Sequence, residues 1–303
     1  MSDLQARLSK LSPEKRALLE QQLLRRGAAA KAPDTIPRRA SDGPCPLSFP
    51  QQRLWFLEQL APGEPTYNAV LAMRAHGPLD LARLERGLRT VIARHEAMRT
   101  VFRAPDGTPQ QVVLDDWTFT LEHHDLRGIP EADREAEMLA RSREAARRPF
   151  DLANDLMLRV TALQMDAEEH VLLFLEHHIA FDGWSDGQLF RELEELYAAE
   201  GEGREPVLDE LPIQYADWSE WQRERLQGAH FERLASYWRE TLAGAPVVLD
   251  LPLDHERPAV QAFAGAHHHF DLPAELAERL RALARAEGAT PFMVLLAAFA
   301  AGL

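Results

Sequence analysis

Apolar positions in this chain switch between two spacings, and the switches outline its elements. Between residues 48 and 60, Leu54, Trp55, Leu57 and Leu60 form a ridge among polar neighbours, which predicts a helix. Residues 66–75 read as extended. Leu81, Leu84, Leu88, Val91, Ile92 and His95 recur at helical spacing behind Asp80, a residue suited to capping a helix start. The stretches 99–103 and 110–114 flank Pro105-Asp106-Gly107, a turn signal that predicts a hairpin. A charged helix is expected over 131–147. The stretches 156–165 and 171–176 are dense in apolar residues and predict two strands across a turn at 166–169. Leu189, Leu193 and Leu196 predict a helix over about 185–199, with Glu192, Glu194 and Glu195 on a solvated face. Tryptophan-bearing helices follow over 213–226 and 231–242. A strand over 266–272, a helix over 273–287 and the apolar run 291–303 complete the pattern.

These elements group into segments. Residues 1–26 read as a polar helical lead-in, with Ser12-Pro13-Glu14 as a helix start. Residues 27–46, rich in Ala, Pro and Gly, read as a linker. A first lobe is expected over 47–211, connecting helices over 212–245, and the beginning of a second lobe over 246–303. The last run stops without a polar tail, so the natural protein is expected to continue. Strands mixed with helices give an α/β fold class, arranged as an α+β sandwich.

The formal charge of −14 changes the functional picture, because phosphate neutralisation needs clustered Lys and Arg. Nucleic acid and anionic membrane surfaces are therefore not expected partners. Cys45 is the only cysteine among 303 residues, which leaves no intrachain disulfide and no cysteine metal cluster. With no signal-like apolar core near Met1 and no apolar run of roughly 18 to 20 residues, a cytoplasmic location is expected.

The chemistry concentrates where the apolar run Val171-Leu172-Leu173-Phe174-Leu175 ends in Glu176-His177-His178 and passes through Ile179-Ala180-Phe181-Asp182-Gly183-Trp184-Ser185 into a helix. Buried imidazole needs a hydrogen bond, so two histidines at the end of a core strand require a reason. Neighbouring strand residues face opposite sides, so one ring is expected to be structural and the other available for proton transfer near neutral pH. Asp182 is expected to brace the loop, and Gly183 to let it turn in a conformation that other residues resist. Two satisfied core histidines are the plain alternative. A metal site is not expected, since the rings diverge and no third ligand is evident. His123-His124-Asp125 reads as a surface loop, His267-His268-His269 as structural or surface, and His95 as a satisfied core residue. Arg99 is expected to anchor Glu96 or a nearby loop, while Trp184 and Ser185 pack and cap the following helix.

The segment His177-His178-x-x-x-Asp182-Gly183-Trp184-Ser185 resembles the signature of nonribosomal peptide synthetase condensation domains. Three other stretches resemble that family in the expected order: Ser48-Phe49-Pro50-Gln51-Gln52-Arg53-Leu54-Trp55-Phe56-Leu57, then Arg94-His95-Glu96-Ala97-Met98-Arg99-Thr100-Val101-Phe102, then Tyr215-Ala216-Asp217-Trp218 to Trp221. The second is usually written with Leu where Met98 stands. The resemblance covers residues 44–303. It implies a chloramphenicol-acetyltransferase-like lobe plus the start of a second similar lobe. It further implies amide formation between a donor acyl or peptidyl thioester and an acceptor aminoacyl thioester. Both substrates ride on phosphopantetheine arms of carrier proteins, no cofactor is bound directly, and an adenylation domain is a neighbour in the same synthetase. His178 matches the catalytic position, Asp182 a structural carboxylate normally paired with arginine, and Gly183 a backbone amide near the reacting carbonyl. His177, Trp184, Ser185 and Arg99 are supporting positions. The resemblance leaves two alternatives, an epimerisation domain and a catalytically silent carrier-docking module, and it implies that residues 1–303 alone are inactive.

Overall fold

The computed structural model describes residues 35–258, 268 and 270–303. The expected lead-in at 1–26 and, of the expected strand over 266–272, Ala266, His267 and His269 lie outside the described residues; His268 and residues 270–272 are described and form no strand. The chain forms two compact units, Met1–Glu232 and Arg233–Leu303.

The first unit is built on a four-stranded sheet of order β2-β7-β6-β5. Its strands are β2 (Asn68–His76), β5 (Glu122–Asp125), β6 (Leu158–Asp166) and β7 (Glu169–His177). The β2–β7 and β7–β6 pairs are antiparallel, and β5 runs parallel to β6. The central position of β7 explains its apolar sequence, because both of its faces are covered. On one face Phe174 meets Phe190 of helix α4 (Gly183–Glu202) edge-on at 5.0 Å, and helix α2 (Leu81–Arg94) packs beside α4. Gly87 permits that approach: a Cβ there would lie 2.9 Å from Leu193 Cδ1. The other face is crossed by α3 (Glu131–Arg147), whose C-terminal carbonyls at Ala146 and Arg148 each accept from Asn68 Nδ2 at 3.0 Å.

A smaller antiparallel sheet, β1-β4-β3, joins Cys45–Pro46, Gln110–Val113 and Thr100–Arg103. The β3–β4 hairpin matches its sequence signal, with Gly107 at φ 77° in the turn. Helices α1 (Phe49–Leu60) and α5 (Tyr215–Arg225) belong to this unit, and α6 (Gly228–Thr241) runs across its end. In the second unit α7 (Ala274–Ala286) and α8 (Pro291–Gly302) pack on each other, with Thr290 Oγ1 capping α8 through Met293 N at 3.2 Å. Among the described residues no single helix is long and apolar enough to cross a membrane.

Three expectations change. Residues 35–46, expected as linker, are tied to the first unit. Arg39 is buried and donates to Glu96 Oε2 at 2.7 Å and Asp217 Oδ1 at 3.2 Å, and Arg38 donates to the carbonyls of Pro212 and Leu211. His123-His124-Asp125 lies in β5 rather than in a loop, pairing with Ala162, Leu163 and Gln164. Of the two anchors expected for Arg99, the loop is the one observed: its Nη1 donates to the Leu114 carbonyl at 2.6 Å, while Arg39 pairs with Glu96. Glu192 is not solvated. It is 3% exposed, and its carboxylate accepts from Gln188 Nε2 (2.7 Å) and Arg94 Nε (3.1 Å) and lies 2.9 Å from His95 Nε2. Glu192 shares the helical stripe of Leu189, Leu193 and Leu196, so it must enter the α2–α4 contact and needs partners there.

Glu192→Ala is therefore expected to lower stability by about 1–3 kcal/mol in urea unfolding, because it leaves Arg94 Nε and His95 Nε2 without the Glu192 carboxylate. The exposed neighbour Glu194→Ala should stay within about 0.5 kcal/mol of the parent chain. Equal losses for the two would contradict the clamp.

Candidate active site

The end of β7 hands its chain directly to α4. His177 is the last strand residue, opposite Asn68 of β2, and Ala180 N returns to the His177 carbonyl at 3.0 Å. Asp182 then caps α4. Its Oδ1 accepts from Trp184 N (3.1 Å), Ser185 N (3.0 Å) and Ser185 Oγ (2.8 Å), and Ser185 Oγ accepts in turn from Asp182 N at 3.3 Å. This reciprocal cap satisfies amides that the helix itself cannot pair. The Ser185 hydroxyl bond is the largest cause holding the Asp182 carboxyl below its ordinary range, and burial opposes it.

The two histidines part as strand alternation requires. His177 is buried, with its ring edge-on to Phe150 at 5.8 Å. Its Nδ1 accepts from Ile179 N at 3.1 Å. Burial is the main cause that depresses its pKa to about 4, with the neighbouring His178 adding to it, so this imidazole is neutral.

His178 is exposed, while its backbone is pinned by a bond from its N–H to the Tyr67 carbonyl at 2.9 Å. Its Nδ1 lies 2.7 Å from the Phe181 carbonyl oxygen. A carbonyl only accepts, so Nδ1 carries the proton, and in the neutral ring Nε2 presents a lone pair. One ring is thus locked as structure and its neighbour is held, oriented and accessible.

Gly183 is the first residue of α4 and does not sit at positive φ. The expected conformational reason for glycine is absent. An added Cβ would meet nothing within 4 Å, so what glycine supplies here is open space beside its backbone amide. Trp184 is 89% exposed and does not pack on α4, contrary to expectation; the second helical position simply faces outward. Arg99 lies on the hairpin side, bonded at Leu114, and is not bonded to the 178–185 segment. Asp182 makes no ion pair with arginine among the described residues, and its carboxylate is satisfied by the helix start instead.

Sequence reasoning assigned no role of their own to four residues near the site. Gln51 Nε2 donates to the Ile179 carbonyl at 3.4 Å, which joins the α1 start to the loop. Ser48 Oγ and Tyr215 Oη lie 3.0 Å apart, linking α1 to α5. Glu176 is 5% exposed, and burial first, then the side chain of Asp186, pushes its pKa up to about 8. A lone acid closing an apolar strand was the available signal for this group.

A family model described as "Condensation domain" matches residues 41–303. Phosphinothricin tripeptide synthetase PhsC of Streptomyces viridochromogenes is 47% identical over 303 residues, covering 99% of this chain and 28% of the relative. Malpibaldin synthetase of Mortierella alpina is 42% identical over 269 residues, 88% of this chain and 5% of that one. The chain thus spans well under a third of either protein. Among solved structures, the X-domain complexed with OxyB from teicoplanin biosynthesis matches 84% of this chain and 56% of that one, with a TM-score of 0.71 and 30% identity. The starter condensation domain of rhizomide synthetase RzmA matches 67% and 49%, with a TM-score of 0.61 and 22% identity, a likeness of fold.

The His177 ring gains its proton in the unfolded chain near pH 6.5 and in the folded chain near 4, so its contribution to stability is present above about 6.5 and is lost as pH falls toward about 4. In urea titrations across that window, the stability gap between the parent chain and His177→Asn is expected to narrow with acidification. A gap that stays constant with pH would contradict a neutral, buried His177.

Proposed function

The chain belongs to the condensation-domain family of nonribosomal peptide synthetases, and on that premise we propose that it joins a carrier-bound acyl or peptidyl thioester to a carrier-bound aminoacyl group through an amide bond. The observation that carries the reading is the His178 ring, fixed at Nδ1 by the Phe181 carbonyl and open at Nε2.

The chemistry follows from that orientation. The acceptor amine attacks the donor carbonyl, a C–N bond forms, and the C–S bond breaks with the thiol as leaving group. The amine must shed a proton, and the Nε2 lone pair of His178 is the group that accepts or steers it; the proton ends on the departing sulfur. Negative charge grows on the carbonyl oxygen during attack. The Gly183 amide, at the positive end of α4 and left unclaimed by the Asp182 carboxylate, is the donor we assign to that oxygen. Absence of a side chain there lets an acyl group come close. Asp182 touches no substrate in this scheme; it holds the helix start to which the loop returns.

A recruitment role without turnover is the second reading, favoured by the likeness to an X-domain solved in complex with OxyB. An oriented, accessible imidazole is not needed for recruitment, which is why condensation is preferred. Partners in the proposed reaction are the donor and acceptor carrier proteins, whose phosphopantetheine arms deliver the thioesters. An adenylation domain loads the acceptor carrier.

In the complete synthetase with both carriers loaded, His178→Ala is expected to cut dipeptidyl-thioester formation by about 100-fold or more, measured by mass spectrometry of the carriers. Parent-like product from that variant would overturn the role of His178. Washout of label from the acceptor Cα without amide formation would favour epimerisation.

Gly183→Ala is expected to leave unfolding within about 0.5 kcal/mol of the parent while slowing turnover, because space is lost where the carbonyl must approach. Unchanged turnover would show that the open space at Gly183 is not needed for the carbonyl's approach.

A further inference from the structure

We propose that Gln51 is a positioning residue for His178: its carboxamide holds the loop between β7 and α4 from outside, and Ser48 and Tyr215 hold the carboxamide. The inference rests on the condensation reading, because it concerns the ring that this reading sets against the reacting amine.

Four stretches singled out in the sequence, 48–57, 94–102, 177–185 and 215–221, lie far apart in the chain and meet in one hydrogen-bonded network. The loop is at its front. Gln51 Nε2 donates to the Ile179 carbonyl at 3.4 Å, while Gln51 Oε1 accepts from Ser48 N at 3.0 Å. Ser48 Oγ accepts from Gln51 N at 3.2 Å and lies 3.0 Å from Tyr215 Oη. Tyr215 opens α5. The residue before it, Gln214, accepts from Glu96 N at 3.1 Å and donates to the Arg94 carbonyl at 2.9 Å. Asp217, two residues on, pairs with Arg39, which also pairs with Glu96. The start of α5 is thereby fixed on the chain that follows α2, and it fixes Ser48 in turn.

The choice of glutamine is informative. Gln51 Oε1 closes the cap of α1 with Ser48, a task that glutamate performs as well. The amide NH2 is surplus to that cap. Gln51 is 2% exposed, and the one acceptor of its Nε2 among the described residues is the Ile179 carbonyl. A buried donor without an acceptor costs free energy, so the side chain and the loop hold each other. The other bonds printed on the path of this loop are local. Ile179 N donates to His177 Nδ1, Ala180 N to the His177 carbonyl, and His178 Nδ1 to the Phe181 carbonyl. Among the described residues, Gln51 is thus the one contact from another element that reaches residues 179–181, the path that closes the His178 ring bond. It touches no reacting atom.

The test is nitrogen-15 spectroscopy of the His178 ring in the full chain with labelled histidine, read beside steady-state kinetics of the complete synthetase. Gln51→Met keeps the length of the side chain and removes its donor and acceptor. It is expected to turn a ring protonated at Nδ1 into one exchanging between both neutral forms. It should also lower kcat for amide formation by about tenfold with KM for the loaded carriers unchanged, since the ring is misplaced and no carrier contact is lost. Tyr215→Phe removes a single hydroxyl from the network and should shift the ring the same way to a smaller extent; it decides the matter if Gln51→Met does not fold. Gln52, exposed and bonded to Arg223 Nη2 at 2.7 Å, is the control. Gln52→Met should leave both readouts at their parent values.

A His178 ring that stays protonated at Nδ1 in both Gln51→Met and Tyr215→Phe would overturn the inference, even if both chains are less stable. Equal changes from Gln52→Met would overturn it too. If the ring responds as expected and the parent synthetase forms no amide, the positioning role stands and the condensation reading falls.

Discussion

One hydrogen bond, from the His178 Nδ1–H to the Phe181 carbonyl, decides what this site can do. It closes across three residues, so it depends on the path of the loop between β7 and α4. A ring held at Nδ1 cannot rotate freely about its side chain, and in the neutral ring the remaining nitrogen is an acceptor. Contacts on either side of the loop keep it in place. The turn before β2 supplies the entry point through the Tyr67 carbonyl, and the helix supplies the exit through the Asp182 cap.

The scaffold behind the loop is held by buried polar groups set among apolar ones. Glu192 gathers Gln188, Arg94 and His95 where α2 and α4 meet, and Arg39 gathers Glu96 and Asp217 where the segment before β1 meets α5. Such groups specify an arrangement because any other would leave a charge buried without a partner. The apolar core, from Leu88 and Ile92 through Phe174 and Leu189, drives the layers together without directing their register.

Much of this was legible in the chain, and the exceptions have physical reasons. Strand β7 and helix α4 were readable because their apolar spacing is strong and the Asp182-to-Ser185 cap is local. The divergence of His177 and His178 followed from alternation alone. Edge strand β5 was not readable: it is four polar residues paired in parallel, with no turn to announce it. Arg39 was not readable either, since it meets Asp217 across 178 positions of sequence. Glu192 was misread as solvated although its spacing from Leu189, Leu193 and Leu196 placed it on the buried stripe. At Gly183 the residue was recognised and its reason was not, because backbone angle and open space cannot be told apart from the letter alone.

Nitrogen-15 spectroscopy of the His178 ring in the neutral state tests the central claim most directly, since it reports which nitrogen bears the proton. The expected result is a protonated Nδ1 and an unprotonated Nε2, unaffected by His177→Asn. A ring protonated at Nε2, or one exchanging evenly between both forms, would contradict the account.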